Sequence, residues 1–152
     1  MSTEYSIVVS GGFDPLHTGH ITMMRDAKEI GDELIVVVNN GHWLREKKGF
    51  ELVPGDVRME VIQALEPVDD VHKTSHQRIA PGDMDMSICS SLKALEPDLF
   101  GNGGDRKEGN IPEYQLCEEL GIELVFGLGE EKEHSSTKMF YNALRQYGHE
   151  NP

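Results

Sequence analysis

The sequence predicts an α/β fold: one domain built on a mostly parallel five-stranded sheet with helices on both faces. Three observations predict it. Short runs such as Glu33-Leu-Ile-Val-Val-Val38 are apolar almost throughout, as strands covered on both sides by helices must be. These runs alternate with segments in which apolar residues recur at helical spacing, as at Ile21, Met24, Ala27 and Ile30. Such alternation makes right-handed crossovers between parallel strands. The length, 152 residues, suits one domain that buries roughly 70% of its extended-chain surface.

The elements follow in order. Tyr5 to Ser10 reads as a buried strand ended by Gly11-Gly12, and His20 to Ile30 as a helix stopped by Gly31. Glu33 to Val38 is the second strand, and the polar, basic stretch from Asn39 to Phe50 reads as a loop. Pro54-Gly55-Asp56 opens a helix whose apolar face is Val57, Val61, Ile62 and Leu65; Pro67 closes it, and Val68 to Val71 is a short strand. Residues 73 to 84, with Pro81-Gly82-Asp83, form a loop. Met86, Cys89, Leu92 and Leu95 space as a helix, with Cys89 on its core face, before the strand Asp98 to Phe100. Pro112 to Leu120 is helical, Gly121 stops it, Ile122 to Phe126 is the last strand, and Ser135 to Tyr147 the last helix. Ala64-Leu-Glu-Pro67 recurs as Ala94-Leu-Glu-Pro97, which predicts the same local geometry at two helix-to-strand joints. A sheet of this kind binds ligands outside the carboxyl ends of its strands. The turns at 11–20, 39–50, 101–110 and 127–135 are therefore where function is expected.

Composition narrows the partners. The 14 Lys+Arg stand against 27 Asp+Glu, a net charge of −13. A field of that sign repels nucleic acid and anionic lipid. No apolar run approaches the roughly 20 residues of a membrane span, and the first residues lack signal-peptide features. A cytoplasmic protein is expected. Cys89 and Cys117 imply no disulfide framework and no nucleophile. Eight of the cations, Arg45, Lys47, Lys48, Arg58, Arg106, Lys107, Lys132 and Lys138, lie in or beside the strand-exit turns. That gathering suits a small anionic ligand.

The first turn carries the chemistry. In Gly11-Gly-Phe-Asp-Pro-Leu-His-Thr-Gly-His20 the glycines let the backbone approach a ligand. His17 and His20 flank a helix start, whose N–H groups favour an anion. Two imidazole donors there would hold a phosphate. Asp14, His17 and His20 are also metal-ligand types, but they lack a typical zinc spacing. Ser135, Ser136 and Thr137 offer hydroxyls and N–H groups at a second helix start. One plain N-cap would account for one of the three. Asn102-Gly-Gly-Asp105 is a turn by composition. Trp43 is either a stacking surface or a loop anchor.

The turn resembles the G-x-F-D-x-x-H-x-G-H signature of the cytidylyltransferase-like nucleotidyltransferases, with Phe13, Asp14, His17, Gly19 and His20 in register after a strand. Gly31 to Val38, Arg58, Asn102-Gly-Gly-Asp-Arg106 and His134-Ser-Ser-Thr137 resemble further family segments. The resemblance implies a Rossmann-like fold and transfer of a nucleoside monophosphate to a small phosphate or phosphonate acceptor, with release of pyrophosphate. It implies His17, His20, Lys47 or Lys48, and Arg58 as catalytic groups. Nucleotide contacts would come from Gly11, Gly12, Phe13, Asp14, Gly19, Asn102, Gly103, Gly104, Asp105, Arg106, His134, Ser135, Ser136 and Thr137. Mg²⁺ would be held through the phosphates, with no protein metal site, and a homodimer is implied. The form Gly12-Phe-Asp14 favours CTP over ATP as donor by analogy. The stretch Glu131-Lys-Glu-His-Ser-Ser-Thr137 departs from the R-T-x-G-[IV]-S-T-T of the glycerol-3-phosphate enzymes. That argues against glycerol phosphate and leaves Lys132 in the arginine's place. A non-catalytic nucleotide sensor and a metal-dependent hydrolase on Asp14, His17 and His20 are the rival readings.

Overall fold

The structure is a computed structural model and describes residues 5–77, 82, 84–104, 106, 109, 111–129 and 135–150. The elements run β1 (Ser6–Gly11), α1 (Thr18–Ile30), β2 (Glu33–Val38), α2 (Gly41–Lys48), α3 (Gly55–Gln63) and β3 (Asp70–Lys73). They continue α4 (Cys89–Leu95), β4 (Leu99–Gly103), α5 (Tyr114–Leu120), β5 (Glu123–Leu128) and α6 (Ser136–Glu150). The five strands form an all-parallel sheet in the order β3-β2-β1-β4-β5. Chain order reverses between β1 and β4, so a crevice opens there at the carboxyl ends of the strands. Among the described residues no helix is long and apolar enough to cross a membrane.

Successive strand residues face opposite sides, so two cores form. Ile7, Val9, Leu34 and Val36 pack against Met24 and Ala27 of α1 and Ile62 of α3. Val8, Ile35, Val37 and Phe100 pack against Leu92 of α4 and Cys117 of α5. The Rossmann-like α/β architecture expected from the sequence is the one observed.

Four expectations are corrected. The stretch 39–50 is mostly helix: the Asn40 side chain accepts from Trp43 N–H, and Gly49 ends α2 in the left-handed region at φ 89°. In α3, Val57 and Val61 are exposed, while Ile62 and the charged Arg58 are buried. Cys89 is only half-buried rather than core. The two Ala-Leu-Glu-Pro joints differ, since α3 ends at Ala64 with φ −81° whereas α4 ends at Glu96 with φ 45°. Strand and helix bounds also move by a few residues: β3 starts at Asp70, and Met86 precedes α4.

Arg58 is buried because backbone carbonyls at the strand exits require donors. Its Nε donates to Val53 O at 2.8 Å, and its Nη1 donates to Gly12 O at 2.7 Å and Asn39 O at 2.6 Å. Nη2 donates to the Glu51 carboxylate at 2.8 Å. One planar guanidinium thus joins the exits of β1 and β2 to the 51–53 segment. Asp14 reciprocates: its buried carboxylate accepts from Leu52 N at 2.6 Å and Val53 N at 2.8 Å.

Removing one partner of a buried charge pair costs about 3–5 kcal/mol. Arg58→Met is therefore expected to lower Tm by roughly 10 °C. Arg58→Lys should recover less than half of the loss, because an ammonium cannot reproduce the planar fork. Thermal denaturation followed by circular dichroism checks this, and an unchanged Tm in Arg58→Met contradicts the clamp.

Candidate functional site

The first turn leaves β1 through Gly11 and Gly12 and enters α1 through two histidines. A Cβ on Gly11 would lie 3.0 Å from the Phe13 ring, and one on Gly12 would lie 2.7 Å from Leu44. Phe13 is buried with φ 51°, a left-handed conformation that a non-glycine residue adopts rarely. His17 is the N-cap of α1. Its Nδ1 accepts from Gly19 N–H at 3.1 Å, while Nδ1 of His20 accepts from His17 N–H at 3.1 Å. This is the reciprocal capping geometry usually made by Ser or Thr with Glu. Gly19 is needed in it, since a Cβ there would lie 2.9 Å from the His17 ring.

The caps set the chemistry of the rings. A ring nitrogen that accepts a hydrogen bond carries no proton, so each neutral imidazole holds its proton on Nε2. The rings stack at 3.8 Å with an interplanar angle of 26°, and the Phe13 ring meets His20 edge-on at 5.0 Å. The two rings, each with its proton on Nε2, are therefore stacked at the start of α1.

The late serine segment and one lysine come to the same turn. Ser136 Oγ donates to Pro15 O at 2.6 Å, and Ser135 Oγ accepts from Lys138 N at 3.2 Å as the cap of α6. Phe140 stacks on Phe50 at 4.1 Å. Two helix N-termini, those of α1 and α6, thus meet at residues 14–20. Lys48 Nζ reaches Asp14 O at 3.5 Å and is half-buried, whereas Lys47 is exposed. Thr137 and Lys138 are exposed near the α6 start. Arg45 pairs with Glu51 at 3.4 Å.

Other expected contacts fall elsewhere. Arg58, Phe13 and Asp14 are buried in the scaffold, so they shape the turn rather than present themselves to a ligand. Asp105, Lys107, Lys132 and His134, with Pro81 and Asp83, lie outside the described residues. Gly103 is half-buried and Gly104 exposed, and Arg106 N–H donates to Gly103 O at 3.1 Å. Asn102 is 2% exposed; its amide donates to Phe100 O and Val125 O, and its Oδ1 has no hydrogen-bond partner. Trp43 is an anchor, its Nε1 donating to Met86 O at 2.9 Å. Burial pushes the Cys117 thiol up to about 11, which removes it as a nucleophile.

Three residues that sequence reading passed over belong here. Asn39, just past β2, is buried with Oδ1 unpartnered, and its carbonyl meets Arg58. Glu51 closes the Arg58 clamp. Glu113 is a buried carboxylate that accepts from Ile88 N–H at 3.2 Å, with Arg106 at 3.7 Å from its other oxygen. A pair of asparagines at a strand exit is a readable signal; Glu113 has none. Among the described residues no group of three or more His, Cys, Asp or Glu side chains could hold a metal ion. The groups gathered here, two imidazole rings, two helix starts and one partly desolvated ammonium, are of the kinds that hold an anion.

Burial lowers the pKa of Lys48 from its ordinary 10.5; Asp14 opposes the fall, and Arg58 and Lys47 add to it. In the window just below 10.5 the native chain then holds fewer protons than the unfolded chain at this residue. Its contribution to stability accordingly rises with pH through that window. An anion beside Lys48 reverses the shift, so binding there takes up a proton. Calorimetric titration with sodium tripolyphosphate, in two alkaline buffers of different ionisation enthalpy, should show that uptake in the wild type and not in Lys48→Met. Equal uptake in both would place the anion elsewhere.

Known proteins resemble this chain in sequence and in fold. A family model described as cytidylyltransferase-like matches residues 8–139. An FAD synthase of Thermococcus kodakarensis is 35% identical over 119 residues, which is 78% of this chain and 70% of that protein. An FAD synthase of Pyrococcus abyssi is 39% identical over 101 residues, 66% of this chain and 63% of that protein. The crystal structure of a lipopolysaccharide core biosynthesis protein from Thermoplasma volcanium has the same fold, with a TM-score of 0.67 at 23% identity, covering 85% of this chain and 100% of that one. Fold, first turn and relatives agree: the chain belongs to the cytidylyltransferase-like family and is a nucleotidyltransferase.

Proposed function

We propose that the chain transfers an adenylyl group from ATP to a small acceptor bearing a phosphate or phosphonate, releasing pyrophosphate. The observation that carries the reaction type is the pair of Nε2–H imidazoles, His17 and His20, fixed over the α1 N-terminus. An acceptor oxygen attacks the α-phosphorus, and the bond from that phosphorus to the oxygen bridging it to the β-phosphate breaks. Pyrophosphate leaves with the electron pair. The two Nε2–H groups donate to the α-phosphate oxygens, whose charge grows in the transition state. Lys48 and the α6 start, with Ser135, Ser136 and Thr137, hold the β- and γ-phosphates. Gly103, Gly104 and Arg106 of the β4 exit face the nucleoside. No protein nucleophile takes part.

The donor is ATP rather than the CTP favoured by the first motif. Phe13 and Asp14, on which that preference rested, are buried in the scaffold and do not read a base. The two relatives named above make FAD, a product with an adenylyl half. Magnesium enters as part of the metal–triphosphate substrate, held through the phosphates. A homodimer belongs to the same proposal, and sedimentation velocity tests it.

The test isolates the histidines from the fold. Asn is a good N-cap, so His17→Asn should keep Tm within a few degrees. It should lower kcat with ATP roughly 100-fold or more, the cost of one lost transition-state donor. Pyrophosphate release in the presence of acceptor measures it, run in parallel with CTP. Near-normal turnover of His17→Asn would remove the imidazoles from the reaction, and faster turnover with CTP than ATP would overturn the donor.

A further inference from the structure

Glu113 is a charged side chain only 2% exposed, and the proposed reaction does not use it. It stands at the N-cap of α5, yet its side chain makes no capping bond there. Its backbone carbonyl accepts from Cys117 N at 3.0 Å, and Ile111 and Cys117 on either side of it belong to the core. The carboxylate serves other segments. Oε2 accepts from the N–H of Ile88, the residue before α4, at 3.2 Å. Oε1 is buried, has no hydrogen-bond partner among the described residues, and lies 3.7 Å from Nη1 of Arg106.

Taking a carboxylate out of water is costly. The Ile88 amide asks only for one acceptor, and a neutral glutamine oxygen would supply it. The amide therefore does not account for the charge; the cation does. At 3.7 Å the pair lies just beyond hydrogen-bond length, and the burial of Glu113 strengthens the attraction relative to water. The Arg106 side chain is 43% exposed. A guanidinium held on one side by Glu113 thus keeps further donors and an open face on the other.

Position gives this pair its meaning. β4 adjoins β1 where the chain order reverses, and it ends at Gly103. Arg106 N–H donates to Gly103 O at 3.1 Å. The arginine is therefore fixed at its backbone by the β4 exit and drawn at its head toward Glu113, which is itself tied to the starts of α4 and α5. A long side chain gives up rotamer freedom when it orders against a ligand, and an anchor present in the free protein removes that cost in advance.

From this we infer that Glu113 is a positioning residue for the nucleoside end of the donor: its charge holds Arg106 ready at the β4 exit, where the guanidinium meets the nucleoside. Glu113 itself touches no substrate. This rests on the nucleotidyltransferase reading and deepens it by naming what orders its nucleoside contact. The effect is confined to that end. The polyphosphate is held at the starts of α1 and α6 and at Lys48, none of which Glu113 supports.

Isothermal titration calorimetry of the full chain with ATP and with tripolyphosphate, each in excess magnesium, separates the two ends. Glu113→Gln keeps the volume and an acceptor for Ile88 while removing the charge, and it should weaken ATP binding roughly tenfold. Its Kd for tripolyphosphate should stay that of the wild type. Arg106→Met should show the same selective loss. The double variant should bind ATP no more weakly than the weaker single variant, because the two residues act as a unit. If Glu113→Gln fails to fold, Glu113→Asp, whose carboxylate stands on a shorter stem, should weaken ATP and spare tripolyphosphate in the same way. Unchanged ATP binding in either folded variant overturns the inference, as do additive losses in the double variant. An equal loss for ATP and tripolyphosphate also overturns it, since a merely structural role disturbs both ends alike. A wild type that binds neither compound overturns the underlying nucleotidyltransferase reading instead.

Discussion

The guanidinium of Arg58 is the contact on which the site's geometry depends. Parallel strands end in carbonyls that the sheet cannot satisfy, and two of them, Gly12 O and Asn39 O, are answered by a single Nη1. With Val53 O and the Glu51 carboxylate on its other nitrogens, the side chain welds the paired exits of β1 and β2 to a segment that belongs to no strand. A hydrophobic replacement of equal volume would leave those carbonyls unpaired, at about 1–3 kcal/mol each. This is why a charged residue sits on the buried face of α3 while two valines of the same helix face water. Asp14 completes the arrangement from the other side by holding the amides of Leu52 and Val53.

Given that rigid floor, the histidine turn needs little else. The N-terminus of α1 has unsatisfied amides, and the sequence answers two of them with imidazole Nδ1 atoms instead of hydroxyl and carboxylate oxygens. The substitution has a chemical consequence. A Ser or Glu cap would spend its oxygen on the amide, whereas an imidazole that caps through one nitrogen keeps a proton on the other. In the proposed reaction, capping and phosphate recognition thus fall to the same two rings. Lys48 adds a positive charge whose partial burial makes it more responsive to an arriving anion. The whole-chain charge of −13 therefore does not oppose an anionic substrate at this spot.

Much of this was legible in the sequence, and the misreadings have physical reasons. The strand–helix order followed from apolar runs, and the strand–turn–helix setting of His17, Gly19 and His20 from their register. The helix α2 escapes a periodicity reading because its eight residues bury only Leu44. Its caps, Asn40 and Gly49, were nevertheless visible. Periodicity also put Val57 and Val61 on the core face, and the family resemblance put Arg58 on a ligand; a hydrophobic pattern counts every charge as solvated and so gives no sign that Arg58 is buried. The choice between Lys47 and Lys48 depended on the helical phase of α2, and so became readable only once the helix was recognised. Nothing in the residue order distinguishes Nδ1 from Nε2; that distinction requires the cap geometry.

The central claim is that both histidines present Nε2–H to the reacting phosphate. Nitrogen-15 NMR of the imidazoles, recorded with and without ATP and magnesium, tests it most directly. The account predicts that at neutral pH both rings show protonated Nε2 and unprotonated Nδ1, and that ATP shifts the two Nε2 resonances while leaving both Nδ1 in place. Rings protonated on Nδ1, or Nε2 resonances indifferent to saturating ATP, would contradict it.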